Sequence, residues 1–523
     1  MTAVRGKAVV IGAGMGGLAA ALRLVHAGVE VTLVERALQP GGKMRTLPSA
    51  AGPVDAGPTV LTMRPVFEAL FADVGTRLED HVTLQAETVL ARHWWADGSS
   101  LDLHADPDAS AQAVRGLAGP VGEAEFRAFC ARAARLYHGF DAPMMRNPTP
   151  RLTRLVLSVL GNPRLIPAMG GTATLAEALQ RQFTDVRLRQ LFGRYATYVG
   201  GSPYQSPAVL GLIWHSEAQG VWRVQGGMQA LAAALAGLCA AKGVVLRYGS
   251  HAARVEVQFG RTVAVILADG TRLPCSHVVF NGDPAALQQG LLGPPARQAV
   301  AVAAVVPRSL SAWVWAFAAE PSGRDLAHHN VFFGREPQSE FADLAAGRMP
   351  ADPSLYICAQ GRETGPASGP ERFEIILNGP AVTTARAPDT EAEQCRDRVF
   401  QTLARHGLRF DRLPDLTSLT SPHGFAALFP GSAGSLYGRS PHGLMAAFRR
   451  PTAQTRLPGL YLAGGGAHPG AGVPMATLSG RQAAEAILRD LALTSTSRRT
   501  ATPGGTSTGS ATTEPKRSAS SAS

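Results

Sequence analysis

A strand, a glycine-rich turn, a helix, a second strand and an acid, packed into the first 35 residues, constrain this chain more than anything else in it. Residues 7–12 (KAVVIG) form an apolar run that ends in glycine, which predicts a buried strand. Glycines follow at positions 12, 14 and 17. Gly12 permits a tight turn after the strand, Gly14 lets the backbone approach a pyrophosphate, and Gly17 lets the next helix pack closely on the sheet. From Gly16 to Ala27 the apolar residues Leu18, Ala19, Leu22 and Val25 keep helical spacing, and Gly28 ends the helix. Residues 29–34 (VEVTLV) predict the second strand, with Glu35 at its end, where an acid accepts from a ribose hydroxyl. The start of such a helix offers unpaired N–H groups and a positive dipole end to phosphates. A glycine triplet alone is equally a turn with no ligand. The complete unit is what points to dinucleotide binding.

At 523 residues the chain exceeds one compact domain, and 45% hydrophobic against 17% charged residues is a globular balance. Its net charge of +11 admits nucleic acid or an anionic membrane surface as partners. No basic run interleaved with aromatics and no zinc-finger or RNA-binding pattern occurs, so no nucleic acid is expected. The five cysteines are widely spaced and lack a CxxC pair. They suggest neither a disulfide framework nor a metal site, and read as core residues in a reducing compartment. The glycine motif follows Lys7 at once, leaving no room for a leader, and no apolar stretch reaches membrane-spanning length. A cytoplasmic protein is expected, free in solution or lying on the inner membrane.

Residues 105–224 turn mostly helical, with apolar spacing clear at 123–137 and 173–192. Residues 225–247 predict a glycine-started helix and a strand. Hairpin-like strands are expected at 253–257, 263–267 and 277–280, with a turn at Asp269-Gly270. Further strands are expected at 311–318, 372–377 and 459–463, the last entering a glycine-rich turn and a helix over 474–491. This predicts an α/β, Rossmann-type domain in three pieces, 1–105, 225–290 and 440–492. An α+β substrate domain would fill 106–224 and 291–439. The Ser/Thr/Ala/Gly/Pro composition of 493–523 predicts a disordered tail.

Three more motifs refine the chemistry. Gly41-Gly42-Lys43-Met44-Arg45-Thr46 is a second Gly-Gly loop just past Glu35. Alone it is an ordinary turn. After a dinucleotide unit it favours FAD over NAD, with Lys43 or Arg45 beside the anionic pyrophosphate. Val54-Asp55-Ala56-Gly57-Pro58-Thr59 and the run YLAGGGAHPGAGVPMA at 461–476 complete the set. The second run is physically an anion nest leading into a helix N-terminus, and Pro474 suits a first helical turn.

With these motifs the chain resembles the phytoene-desaturase-like, carotenoid-modifying flavoproteins, relatives of amine oxidases, from about Lys7 to Leu491. The resemblance implies that Gly57, Pro58 and Thr59 lie beside the flavin. It also implies that Gly465, Gly466, Val473 and Pro474 contact its pyrophosphate, ribityl chain and ring. Gly465 stands where many such proteins carry an acid, so a backbone contact replaces a carboxylate there. Val255 resembles the position whose backbone meets the adenine, and Asn281 lies in a VVxNxDP match. Taken alone, these two are a plain strand and an Asx turn. The block GAGVPMATLSGR at 470–481 is most similar to the hydroxycarotenoid 3,4-desaturases of purple bacteria.

The implied activity is FAD-dependent desaturation at C3–C4 of an acyclic 1-hydroxy- or 1-methoxycarotenoid such as hydroxyneurosporene. One carbon gives a hydride to the flavin and its neighbour loses a proton, while the polyene spreads the developing charge. Orientation and water exclusion then fall to the protein, which explains the absence of any nucleophile motif. Phytoene desaturation, amine oxidation and a non-redox lipid carrier or isomerase stand as alternatives. Electrons would leave to oxygen or a membrane quinone. No catalytic residue is assignable: His468 reads as shaping the glycine-rich loop, and His215 and Glu217 as surface or cap residues. Trp94, Trp95, Trp313 and Trp315 read as core before site lining. At 144–170, Leu152, Leu155, Val156, Val159 and Leu160 make an apolar stripe flanked by Arg146, Arg151, Arg154 and Arg164. This is either a membrane-docking helix or a domain-packing one.

Overall fold

The computed structural model describes residues 6–362, 369–382 and 390–500, with side chains as far as Leu493. Its first layer is a five-stranded, wholly parallel sheet. The strands are β1 (Lys7–Ile11), β2 (Glu30–Val34), β3 (Val245–Arg247), β4 (His277–Phe280) and β5 (Leu460–Leu462). Their order across the sheet is β5-β4-β1-β2-β3. Three helices pack on it: α1 (Met15–His26), α2 (Met228–Ala241) and α3 (Val473–Thr500). Val10 pairs with Val279 on one side and Leu33 on the other, so β1 is central, and it is hydrophobic from Ala8 to Ile11. That is the pattern of a strand covered on both faces. α1 and α3 cross at very short range, for a Cβ on Gly480 would fall 2.1 Å from the Gly16 carbonyl.

β4 corrects an expectation. Its four residues are all buried, and it lies parallel to β1 rather than in a hairpin with the strands before it. A strand covered on both faces shows no alternation, so sequence pattern could not separate it from its neighbours. Those neighbours, Ala252–Gln258, Arg261–Leu267 and Arg272–Pro274, form a separate antiparallel sheet.

The second layer is a seven-stranded sheet, antiparallel apart from one parallel pair. One of its faces is aromatic and aliphatic. Trp313, Trp315, Phe317, Phe373, Ile375 and Leu377 are buried there against Cys395, Val399 and Leu403 of helix Glu391–Arg405. Each such side chain contributes about 1.5–3 kcal/mol by leaving water. The other face turns toward residues 54–59: Ala316 packs on Val54 and Ala56. Helices between Pro107 and Ala218 cover the far end around Phe126, Phe129, Phe192 and Trp214. The longest, Pro107–Phe140, is broken at Gly119, where φ is 71° and Pro120 follows.

Two boundaries shift. Strands Val89–Trp94 and Ser100–His104 belong to the larger sheet, with His93 paired to Val331. The first nucleotide-side piece therefore stops ahead of Val89 and not at 105. α3 runs on to Thr500, so the expected tail of 493–523 begins as helix, and 501–523 lie outside the described residues. Trp94, Trp95, Trp313 and Trp315 and four of the five cysteines are buried core; Cys130 is half-buried beside the Trp214 indole. Among the described residues no helix is long and apolar enough to cross a membrane.

Candidate functional site

The two glycine-rich turns meet at the carboxyl ends of β1, β4 and β5, held by Asn281. Its amide nitrogen donates to the Gly12 carbonyl at 3.2 Å. The same side chain lies where a Cβ on Gly14 or on Gly16 would be, at 2.9 and 2.6 Å. A Cβ on Gly16 would also meet Gly464 N at 2.6 Å, and one on Gly17 would meet the Gly12 carbonyl at 2.0 Å. Gly16 and Gly17 are needed because backbone meets backbone, and Gly14 because the Asn281 amide fills the space of a Cβ. Asn281 therefore buckles the first turn to the C-terminal loop.

The second Gly-Gly loop lies on the first. Gly41 N–H donates to the Ala13 carbonyl at 2.9 Å, and a Cβ on Gly42 would sit 3.3 Å from Gly14 Cα. Segment 54–59 is pinned to the same loop, since a Cβ on Gly57 would fall 1.9 Å from the Lys43 carbonyl. Glu35 is buried at the end of β2, accepting from Ala13 N–H at 2.7 Å and Ala37 N–H at 2.8 Å. A carboxylate has about four acceptor positions, so both oxygens keep capacity for a hydroxyl donor.

The cations cluster on one side. Lys43 Nζ donates to the Leu436 carbonyl and stands 5.4 Å from the Phe429 ring. Arg450 donates to the Gly465 carbonyl at 2.9 Å and to the Tyr437 carbonyl at 2.7 Å, fixing the strand-end loop. Burial pulls Lys43 down to about 8, with Arg308 and Arg450 adding to the fall and Asp283 opposing it. Burial likewise pulls Arg450 to about 10. Arg45 takes a different course: it reaches Thr420 and the Phe425 ring, and its Nε has no partner.

The first turns of α1 and α3 hold no acidic residue, and α1 has no side-chain cap. Two positive helix ends, glycines open to close approach, and buried cations fit a dinucleotide diphosphate. Val473 and Pro474 begin α3, and Thr477 donates back to the Val473 carbonyl. Gly466 packs on Pro284, where a Cβ would come within 2.5 Å. Val255 sits apart. It is buried in the three-stranded sheet with its N–H given to the Leu292 carbonyl at 3.0 Å, and the ladder is irregular between Ala252 and Arg254.

Beside Thr59 lies a polar cluster that sequence reasoning missed. The Thr59 hydroxyl is 2.7 Å from the Tyr356 hydroxyl, which is 2.7 Å from His329 Nδ1. Glu374 is fully buried on the adjacent strand, and burial, then the Asp55 charge, pushes its pKa well up. Ligand atoms of His328, His329 and Cys358 lie within 4.8 Å of one another. Burial and then the Glu374 charge hold the Cys358 thiol protonated, and Arg223 faces both histidines, so the surroundings do not favour a cation. His468 is bonded to the Asn147 carbonyl at 2.8 Å, and Glu217 accepts from Tyr195 and Tyr198, so both serve structure. His215 packs against Tyr137 and His138.

The sequence profile described as "Flavin containing amine oxidoreductase" matches residues 15–488. The chain belongs to the flavin-containing amine oxidoreductase family. Within this family it is 58% identical to the hydroxyneurosporene desaturase of Cereibacter sphaeroides, over 93% of this chain and 98% of that one. It is 52% identical to the hydroxyneurosporene desaturase of Rhodobacter capsulatus, over 92% and 97%. Among solved structures, an oxidoreductase from Methanosarcina mazei superposes with a TM-score of 0.60 at 16% identity, covering 92% of this chain and all of that one. That likeness speaks for the shared fold.

Proposed function

We propose that this member of the family is an FAD-dependent desaturase acting at C3–C4 of acyclic 1-hydroxy- or 1-methoxycarotenoids, hydroxyneurosporene being the type substrate. The observation that carries the reading is the end-to-end similarity to hydroxyneurosporene desaturases. Bound FAD supplies a two-electron acceptor for hydride. The chain's own residues do the rest. Gly12, Gly14 and Gly42 admit the diphosphate to the backbone, Gly17 lets the helix start close against that turn, Glu35 takes a ribose hydroxyl, and Lys43 faces the anionic side. Arg450 holds Gly465 and Gly466 in place, while Gly57, Pro58 and Thr59 wall the ring side. Arg45, Asn281, Val473 and Pro474 position these walls, and the Val255 strand closes the adenine end. Burial of this nest excludes water and fixes the polyene against the reacting face.

Substrate of this class dissolves in the bilayer, so the reading includes docking on the cytoplasmic face of the inner membrane. Helix Leu152–Leu160 supports it. Leu155 is buried at 7%, while Leu157 and Leu160 are exposed at 68% and 65%, and Leu152, Val156 and Ile166 are also out. Arg146, Arg151, Arg154 and Arg164 are exposed around them. This segment adjoins the glycine-rich loop through Asn147 and His468, and Met145 and Gln482. Electrons leave to oxygen or a membrane quinone.

A single-turnover assay tests the reading. FAD-loaded protein meets hydroxyneurosporene or phytoene in liposomes without oxygen, and flavin bleaching and product absorption are followed. Bleaching with a red-shifted product is expected from hydroxyneurosporene alone. Bleaching by phytoene instead would overturn the bond assignment, and no bleaching by either would overturn desaturation. Adding oxygen or quinone afterwards identifies the acceptor by the return of flavin colour.

A further inference from the structure

The large sheet has a polar face, and it lies against the segment 54–59. His329 is in register with Cys358, and Cys358 with Glu374, so their side chains emerge side by side. Tyr356 shares that face, two residues from Cys358, and its hydroxyl bridges Thr59 and His329. Glu374 is also in register with Ala316, which packs against Val54 and Ala56. The polar patch is thus pressed onto the segment that ends in Gly57, Pro58 and Thr59.

Nε2 of His329 makes no hydrogen bond, and neither carboxyl oxygen of Glu374 makes a well-formed one: the Thr59 hydroxyl and the Gly57 backbone approach the carboxyl only loosely, with Arg45 beyond them. Both residues are at most 1% exposed. A buried polar atom left without a hydrogen bond costs about 1–3 kcal/mol, and such atoms in a folded protein ask for a missing partner. The patch is therefore built for something that donates and accepts hydrogen bonds. Burial, then the Asp55 charge, keeps Glu374 as the neutral acid, which does both and sets no charge beside an apolar chain.

The substrate class of the proposed reaction carries such a group. In a 1-hydroxycarotenoid, C1 bears the hydroxyl and is separated from C3 by the single carbon C2. A protein that holds C3–C4 against its ring-side wall holds the tertiary alcohol beside that wall too.

We propose that Glu374, with Tyr356 and His329, is the pocket that recognises the tertiary hydroxyl of the carotenoid. This inference rests on the desaturase reading. It makes the pocket a determinant of specificity with no part in the redox step. A site that hydrogen-bonds a substrate hydroxyl can reject the analogue lacking it by up to about 10⁴–10⁵, because its polar groups are then left bare.

The test compares hydroxyneurosporene with neurosporene, which lacks the hydroxyl. Binding from phosphatidylcholine vesicles to the FAD-loaded full chain is read from the carotenoid's absorption shift, and turnover from flavin bleaching. The unaltered protein is expected to bind the hydroxylated carotenoid at least about tenfold tighter. Glu374→Leu is expected to bring that ratio close to one, and Glu374→Gln, which keeps a donor and an acceptor, to retain most of it. A ratio unchanged in Glu374→Leu, or equal binding by the unaltered protein, overturns the pocket. So does an equal loss for both carotenoids in a variant that still holds FAD. Should Glu374→Leu lose its FAD, Tyr356→Phe and His329→Phe are judged by the same ratio. Failure of the desaturase reading is separable: it shows as no bleaching by either carotenoid in the unaltered protein, whatever the binding ratio.

Discussion

Lys43 shows how much a single residue's surroundings can decide. Its position after Gly42 marks it as a phosphate neighbour, but its charge state follows from groups hundreds of residues away. Burial, with Arg308 and Arg450 close by, lowers it to about 8, below the ordinary 10.5. A lysine lowered in the fold holds fewer protons than in the unfolded chain between those two values. Stability of the FAD-free protein should therefore rise with pH from about 8 to 10.5, by up to about 1.4 kcal/mol per pH unit, and be lost as pH falls through 8. Bound diphosphate favours the charged amine, so FAD affinity should fall as pH rises from 7 to 9. Thermal unfolding and FAD titration across that range check both slopes, and Lys43→Met should flatten each. A variant with the original slopes would remove Lys43 from the nest. Glu35 was legible at this scale because its place is set by local strand length. Glu374 was not, since the groups that bury it, Thr59 and Asp55, lie more than 300 positions earlier in the sequence.

At the scale of elements, the helix Leu152–Leu160 stands out. Its apolar stripe reads alike for docking on a membrane and for packing on a domain. In the fold Leu155 faces inward with Leu136, Phe140 and Met144, while most of the stripe stays in solvent. Basic residues near an anionic surface contribute about 1 kcal/mol each. Arg151→Glu with Arg154→Glu should therefore weaken flotation with anionic liposomes by well over tenfold, and Leu157→Asp should weaken binding to neutral ones as well. Flotation indifferent to all three changes would return the helix to a packing role. β4 makes the opposite point. Its three apolar residues, Val278, Val279 and Phe280, were visible, but their partner was not, because a doubly covered strand carries no alternation to reveal which strand it joins.

For the whole molecule, the proposed nest draws on pieces far apart in sequence: residues 12–17, 35–45, 57–59, 281 and 465–474. A ligand seated among them favours the folded state by mass action, about 2.7 kcal/mol at a hundred times its Kd. Added FAD should raise Tm by several degrees and make it depend on FAD concentration. Gly17→Ala, whose Cβ would collide with the Gly12 carbonyl, should abolish the increment. Differential scanning calorimetry at several FAD concentrations measures it, and an FAD-independent Tm in the unaltered protein would contradict the assembly of the nest from these pieces.

Local order carried the rest of what was legible. The dinucleotide unit, the Gly-Gly loop and the C-terminal nest are written in contiguous residues because backbone approach to a phosphate demands glycine at fixed steps. Sequence by itself therefore determined the fold class and the cofactor. Only the tertiary structure decided that Asn281 buckles the two turns, that Arg450 holds the C-terminal loop, and that residues 89–104 join the larger sheet. It alone brought Thr59, Tyr356, His329 and Glu374 together. Those contacts join segments with no periodic relation along the chain, and burial, which sets their chemistry, exists only once the layers have closed.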